Sequence, residues 1–182
     1  MTVSKALREE LLGSIPNLRA FAVSLAGSSE RADDLVQETL MKAWAKFDTF
    51  QEGTNLRAWL FTILRNEFYS QVRKRGREVE DAEGTYAARL ASQPAQTGHM
   101  DLSDFRTALN KLPADQREAL ILVGASGFSY EEAADICECA VGTIKSRVSR
   151  ARTRLAELLH LEPGETYGTD LMSATVITGN QA

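Results

Sequence analysis

The sequence predicts an all-α fold made of two small helical domains joined by a flexible linker, and three observations carry that reading. Apolar residues recur at helical spacing over long stretches, β-branched runs are sparse, and only four prolines interrupt 182 residues. Residues 79–103 are acidic at first and then a mixture of Ala, Ser, Gln, Pro and Gly, which cannot bury a core. Finally, Ser129 to Leu155 has the pattern of two helices around a short turn. The expected divisions are a first domain over 1–78, the linker over 79–103, a second domain over 104–162 and a mobile tail over 163–182.

Taken in order, Thr2 to Leu12 reads as a short helix. Pro16 to Leu25 reads as another, with Pro16 in its first turn and Gly27 as its stop. Ser28 or Ser29 caps a longer helix through Phe47, on which Val36, Leu40, Ala43, Trp44 and Phe47 form the inner stripe. That leaves Asp34, Gln37, Glu38, Met41 and Lys42 outside, and an exposed Met41 beside carboxylates suits either a protein-binding face or an ordinary amphipathic helix.

A loop over 48–54 leads to Asn55, which can cap a helix reaching about Arg75 with Leu56, Trp59, Leu60, Ile63 and Leu64 inside. Glu67 falls close to that stripe, where only a local ion pair would explain it. Arg65, Tyr69 and Arg73, spaced by four, are expected to form an outer ridge. An aromatic between cations suits single-stranded nucleic acid, since a base stacks on the ring while the cations hold the backbone. A helix C-terminus that favours cations explains Lys74 and Arg75 equally well.

Beyond the linker, Asp104 to Leu112 begins the second domain, Pro113 and Asp115 open an apolar helix through Val123, and Gly127 breaks it. Ser129 and Glu132 form a capping box, so a helix starts there; Cys139 to Gly142 interrupt it and a second helix follows. On that second helix Ile144, Val148, Ala151 and Leu155 share one stripe, while Ser146, Ser149 and Thr153 lie opposite, flanked by Lys145 and Arg150. From Thr143 to Leu155 there are five cations, Lys145, Arg147, Arg150, Arg152 and Arg154, and no acid. Solvated helices mix both signs for pairing at i and i+4, whereas phosphate requires one sign only. The pattern is that of a helix-turn-helix entering the major groove.

The net charge of −4 opposes this, because an autonomous DNA binder is more often basic overall. The expectation that reconciles the two is a chain that reaches DNA inside a larger complex. No Ser, His, Asp or metal constellation supports catalysis; Cys137 and Cys139 lack a nearby His and read as reduced fillers at the turn, and His99 and His160 stand alone. No enzyme activity, cofactor, metal or small-molecule substrate is therefore expected. No apolar run approaches the roughly 20 residues that span a bilayer, and Arg8, Glu9 and Glu10 stand where a signal peptide would be apolar, so the chain is expected in the cytoplasm.

Two blocks, DDLVQETLMKAWAKF with NLRAWLFTILRNEFYSQVRKR, and LPADQREALILVGASGFSYEEAADICECAVGTIKSRVSRARTRL, resemble the two conserved regions of bacterial extracytoplasmic function sigma factors over roughly residues 10 to 160. ILVGASGFSYEEAA and AWLFTILRNEFYSQVRKR are similar to the general-stress-response (EcfG-type) branch. The resemblance implies a sigma-2 domain that binds the β′ clamp helices of core RNA polymerase and melts the −10 element, and a sigma-4 domain that docks on the β flap and reads the −35 element. It implies promoter DNA and an anti-sigma factor of the NepR type as further partners. By position it implies core binding for Asp34, Gln37, Glu38 and Met41, −10 contacts for Asn55, Arg65, Asn66, Tyr69 and Arg73, and −35 contacts for Lys145, Ser146, Arg147, Ser149, Arg150 and Arg152. Two other readings remain: a helix-turn-helix activator with an N-terminal dimerisation domain, and a sigma-like mimic that titrates an anti-sigma factor.

Overall fold

The computed structural model describes residues 5–51, 53–81 and 102–161, and among these the regular structure is helical throughout. Most of the expected linker and the expected tail beyond residue 161 lie outside the described residues.

Three helices form the N-terminal bundle: α1 (Lys5–Ala26), α2 (Ser29–Ala45) and α3 (Leu56–Asp81). The two short helices expected at the start are one continuous helix, with Pro16 in its interior. Proline removes a hydrogen bond to the residue four earlier, here Leu12, whose side chain is exposed, so water has access to that face. The gain on the other side is a single buried line of Leu11, Ser14, Leu18, Phe21, Ala22 and Leu25 running straight past the proline. Packing of that line overrides the local break. Gly27, at φ 74°, does end the helix.

Ser28 caps α2 by accepting from the Arg31 amide. The buried face of α2 is Ala32, Leu35, Val36, Thr39 and Ala43, rotated from the expected stripe. Thr39 can lie inside because its hydroxyl donates to the Leu35 carbonyl at 2.7 Å. The rotation leaves Leu40 half-buried and turns Trp44 out, 58% exposed. The helix stops at Ala45, and Phe47–Thr49 forms one 3₁₀ turn instead of its last turn. Phe47, Phe50 and Trp59 then pack edge and face together, at 5.2 to 6.2 Å between ring centres.

Asn55 caps α3 as expected, its side-chain oxygen accepting from the Ala58 amide at 3.0 Å. The helix runs to Asp81 rather than about Arg75, since nothing between them is a helix breaker except Gly76, a cost of only about 1 kcal/mol. Its buried residues are Leu56, Leu60, Phe61 and Leu64, with Glu67 also buried. Trp59 and Ile63 are only half-buried.

The C-terminal bundle is α4 (Leu102–Asn110), α5 (Ala114–Leu120), α6 (Tyr130–Cys137) and α7 (Val141–Leu158). Between α5 and α6, residues Ile121–Ala125 widen into a π turn, in which the Ser126 amide donates to the Ile121 carbonyl at 2.8 Å. The wider turn and Gly127, at φ 70°, carry Phe128 inward, where it is buried. The two bundles share a core: the Phe61 ring stacks on Phe21 at 5.0 Å and meets Phe128 edge-on at 4.9 Å.

Candidate nucleic-acid and polymerase interfaces

The helix-turn-helix is built from local chemistry. The capping box holds the start of α6: the Ser129 hydroxyl accepts from the Glu132 amide at 3.0 Å, and the Glu132 carboxylate accepts from the Ser129 amide at 2.9 Å. The bond from the Ser129 backbone amide, helped by the Asn55 and Ser129 side chains, holds the Glu132 carboxyl below its usual range against the opposing effect of burial. The turn passes through Glu138, at φ 53° in the left-handed region, and α7 begins at Val141, inside the expected interruption and two residues earlier than its end allows. Ile144, Val148, Ala151 and Leu155 are all buried on its inner stripe.

On the outer side of α7, Lys145, Ser149 and Arg150 are exposed, Ser146 and Arg152 are half-buried, and the Ser146 hydroxyl donates to the Thr143 carbonyl. Lys145 Nζ lies 5.8 Å from the Tyr130 ring centre, so α6 partly orients it. Arg147 is placed otherwise: its Nε meets Asp115 of α5 at 3.1 Å, with one terminal nitrogen 3.9 Å from Cys139 Sγ. Arg154 pairs with Glu157 at 3.2 Å on the exposed surface. A shallow, open cavity of about 400 Å³ between α5 and α7 is lined by Pro113, Gln116, Ser149, Arg150, Thr153 and Arg154, among others. Cys137 is buried, and burial pushes its thiol up to about 12, so it stays protonated; Cys139 is half-buried and likewise free.

On α2, Asp34, Gln37 and Met41 are exposed and Glu38 is half-buried. Trp44 continues this face one turn after Leu40, and among the described residues Val72 of α3 and Leu12 are further large apolar groups left open on the N-terminal bundle. The sequence pattern placed Trp44 inside, because positions 36, 40, 43, 44 and 47 fit a helical stripe as well as the true one does. Glu67 finds its partner across the bundle rather than locally: Lys42 of α2 donates to it, as does Gln71 at 2.9 Å.

The expected outer ridge of α3 is a correction. Arg73 is exposed, but Arg65 and Tyr69 face the C-terminal bundle. Arg65 Nε donates to Glu118 of α5 at 2.7 Å, and the Tyr69 hydroxyl reaches the same carboxylate at 3.3 Å. The Arg65 guanidinium also stacks over the Tyr69 ring at 4.8 Å. Burial pushes the Glu118 carboxyl above its usual range despite the opposing pull of Arg65, and burial with that negative neighbour pushes Tyr69 up to about 12. The Asn55 amide donates to Glu132 at 2.6 Å, and the Asn66 amide to Glu138 at 3.3 Å. Arg57 donates to the Ser126 carbonyl and lies over the Phe128 ring at 4.6 Å. The sequence offered no signal for Glu118, Glu132 and Glu138 as partners, because their role depends on how two bundles meet.

Comparison with known proteins covers both bundles. A model of sigma-70 region 2 matches residues 14–78, and one of sigma-70, region 4 matches residues 102–155. The chain is 62% identical over 180 residues to the ECF RNA polymerase sigma factor EcfG of Rhodopseudomonas palustris, covering 99% of both chains. It is 38% identical over 140 residues to the ECF RNA polymerase sigma factor SigC of Mycobacterium tuberculosis, covering 75% of this chain and 74% of that one. Among solved structures it is similar to the sigma factor RpoE from Bartonella quintana, in complex with the anti-sigma factor NepR, with a TM-score of 0.78 and 65% identity over 88% of this chain and all of that one.

Proposed function

From the premise that the chain belongs to the extracytoplasmic function family of RNA polymerase sigma factors, we propose which of its surfaces perform each step of promoter-specific initiation. The chain is a transcription initiation factor and not an enzyme: it binds core RNA polymerase and directs it to promoters. Its overall negative charge is then no obstacle, since the core enzyme supplies the sequence-independent attraction to DNA. The division into a sigma-2 domain over 1–78, a linker over 79–103 and a sigma-4 domain over 104–162 is part of this proposal, and the family matches over residues 14–78 and 102–155 support it.

The observation that carries the assignment of surfaces is the sorting of exposed chemistry between the two bundles. Sigma-2 presents Asp34, Gln37, Glu38 and Met41 with Trp44, an apolar centre beside carboxylates and amides, suited to a protein surface such as the β′ clamp helices. Sigma-4 presents Lys145, Ser146, Ser149 and Arg150 on one side of α7, with Arg147 and Arg152 at its flanks, suited to the edges and phosphates of a −35 element while the β flap holds the domain. Asn55, Arg65, Asn66, Tyr69 and Arg73 provide amides, cations and a ring for the melted −10 strand.

The branch assignment suggests control by an anti-sigma factor of the NepR type, as in the Bartonella complex, acting on general-stress-response genes. The working compartment is the cytoplasm, and no described helix is long and apolar enough to cross a membrane. Run-off transcription from a stress promoter tests the whole reading: core polymerase with this chain should yield the transcript, and core alone should not. Tight, specific promoter binding by the chain without core, and no transcript with it, would replace this reading by that of a helix-turn-helix activator.

A further inference from the structure

Lys42 stands one turn after Glu38 on α2, with the acid on the N-terminal side, which is the favourable order for an ion pair on a helix. Left to itself the ammonium would close on Glu38 and neutralise a carboxylate of the surface assigned to polymerase. It is held elsewhere. The ammonium donates to Glu67 of α3 and stays 3.8 Å from Glu38, beyond a good hydrogen bond. Glu67 wins because it is buried and little screened, whereas the Glu38 side chain is 43% exposed. Gln71 donates to the other oxygen of the Glu67 carboxylate at 2.9 Å, so that carboxylate is fixed on both sides. Stability alone does not account for the arrangement, since an ion pair at a buried acid gains little over two apolar side chains of the same size.

We propose that Glu67 is a positioning residue for polymerase binding: it draws the Lys42 ammonium towards α3 and so leaves the Glu38 carboxylate available to a cationic group of core RNA polymerase. The inference rests on the assignment of Glu38 to the core-binding surface. It adds a residue on another helix, outside that surface, that sets its charge. Without Glu67, Lys42 keeps Glu38 as a partner, and the surface offered to polymerase carries one more positive charge.

The test uses the full chain and measures affinity for core polymerase by competition against a labelled sigma factor. Glu67→Met should lower that affinity roughly two- to fivefold, the range of an exposed ion pair, and the loss should shrink as salt is raised. Adding Lys42→Met should restore the affinity of the parent, although the double variant lacks both members of the pair. The double variant sets two apolar side chains against each other, so its helical circular dichroism and Tm should stay near those of the parent. Glu67→Gln, which keeps the shape and a weaker acceptor, should lose less than Glu67→Met. In a Glu38→Gln background, itself weakened for core, Glu67→Met should cost nothing further, because the two substitutions remove one interaction. A double variant that folds but fails to regain affinity overturns the inference, since Glu67 would then act through the shape of the bundle. Loss with Glu38→Gln and none with Glu67→Met also overturns it and leaves the assignment of Glu38 standing. No loss with Glu38→Gln overturns that assignment and the inference with it.

Discussion

The Lys42 ammonium of α2 donates to the Glu67 carboxylate of α3, joining two helices of the N-terminal bundle around a buried acid. The bonds from Lys42 and Gln71 overcome burial and hold the Glu67 carboxyl below its ordinary 4.5, while the Lys42 ammonium is raised above 10.5, chiefly by its bond to Glu67. A depressed acid contributes stability above its unfolded value and loses it as pH falls through the folded one; a raised base contributes below its unfolded value and loses it as pH rises through the folded one. The pair thus stabilises the bundle across the neutral range. Lys42→Met should lower the Tm at neutral pH, and the gap from the parent should close when thermal melts are repeated well below pH 4.5. A gap that persists in acid would mean that the lysine acts through packing of its stem.

Exposure of Trp44 beside Met41 leads to a separate expectation. Trp44→Ala removes a large surface aromatic without opening a cavity, so the Tm should hardly move. Affinity for core polymerase, measured by competition against a labelled sigma factor, should fall by a factor of about ten or more, in line with an aromatic anchor worth roughly 2 kcal/mol. Unchanged affinity would remove Trp44 from the polymerase interface.

On α7 the two exposed arginines should separate. Arg150 faces outward near the centre of the assigned reading surface, whereas Arg154 lies one turn on and is paired with Glu157. Arg150→Ala should cost about 1–3 kcal/mol of promoter binding in the holoenzyme and relax preference at one −35 position. Arg154→Ala should weaken all promoters slightly and equally. Equal losses at every −35 sequence for both variants would make Arg150 a phosphate contact only.

Asn66 is exposed, and its amide both donates and accepts, as a pocket for an unstacked base requires. Asn66→Ala should leave core binding and −35 recognition intact and reduce open-complex formation, read as lost permanganate reactivity near −10. A template already mismatched there should partly restore transcription, because unstacking a base costs a few kcal/mol that the mismatch has already removed. Lower affinity for core, or a lower Tm, would identify Asn66 as a structural polar group instead.

How much of this was legible in the sequence depended on whether a feature was local. The capping box at Ser129, the Asn55 cap, the stop at Gly27 and the buried stripe of α7 follow from neighbours within one or two turns, and each is present in the fold. The continuous α1 was not legible, since a proline is a local signal and the buried line that overrides it depends on α2 and α3. Trp44 was misplaced because two stripes about a residue apart on α2 fit the same letters, and only the cross-helix packing of Thr39 and Ala43 chooses between them. Glu67 looked anomalous in sequence because its partner is 25 positions away. The covering of Arg65 and Tyr69 could not be read at all, because helical periodicity says which face of α3 differs from the core and nothing about whether a second bundle lies on it.

Phe61, shared between Phe21 and Phe128, makes opening a question of populations. Exposing one buried phenylalanine costs about 1.5–3 kcal/mol, which on its own would leave the open form at roughly one part in ten to one in a hundred and fifty at equilibrium. Any ligand that needs the open form then binds with its intrinsic dissociation constant divided by that fraction. The same aromatic contact that completes the core thereby sets how readily the two bundles part.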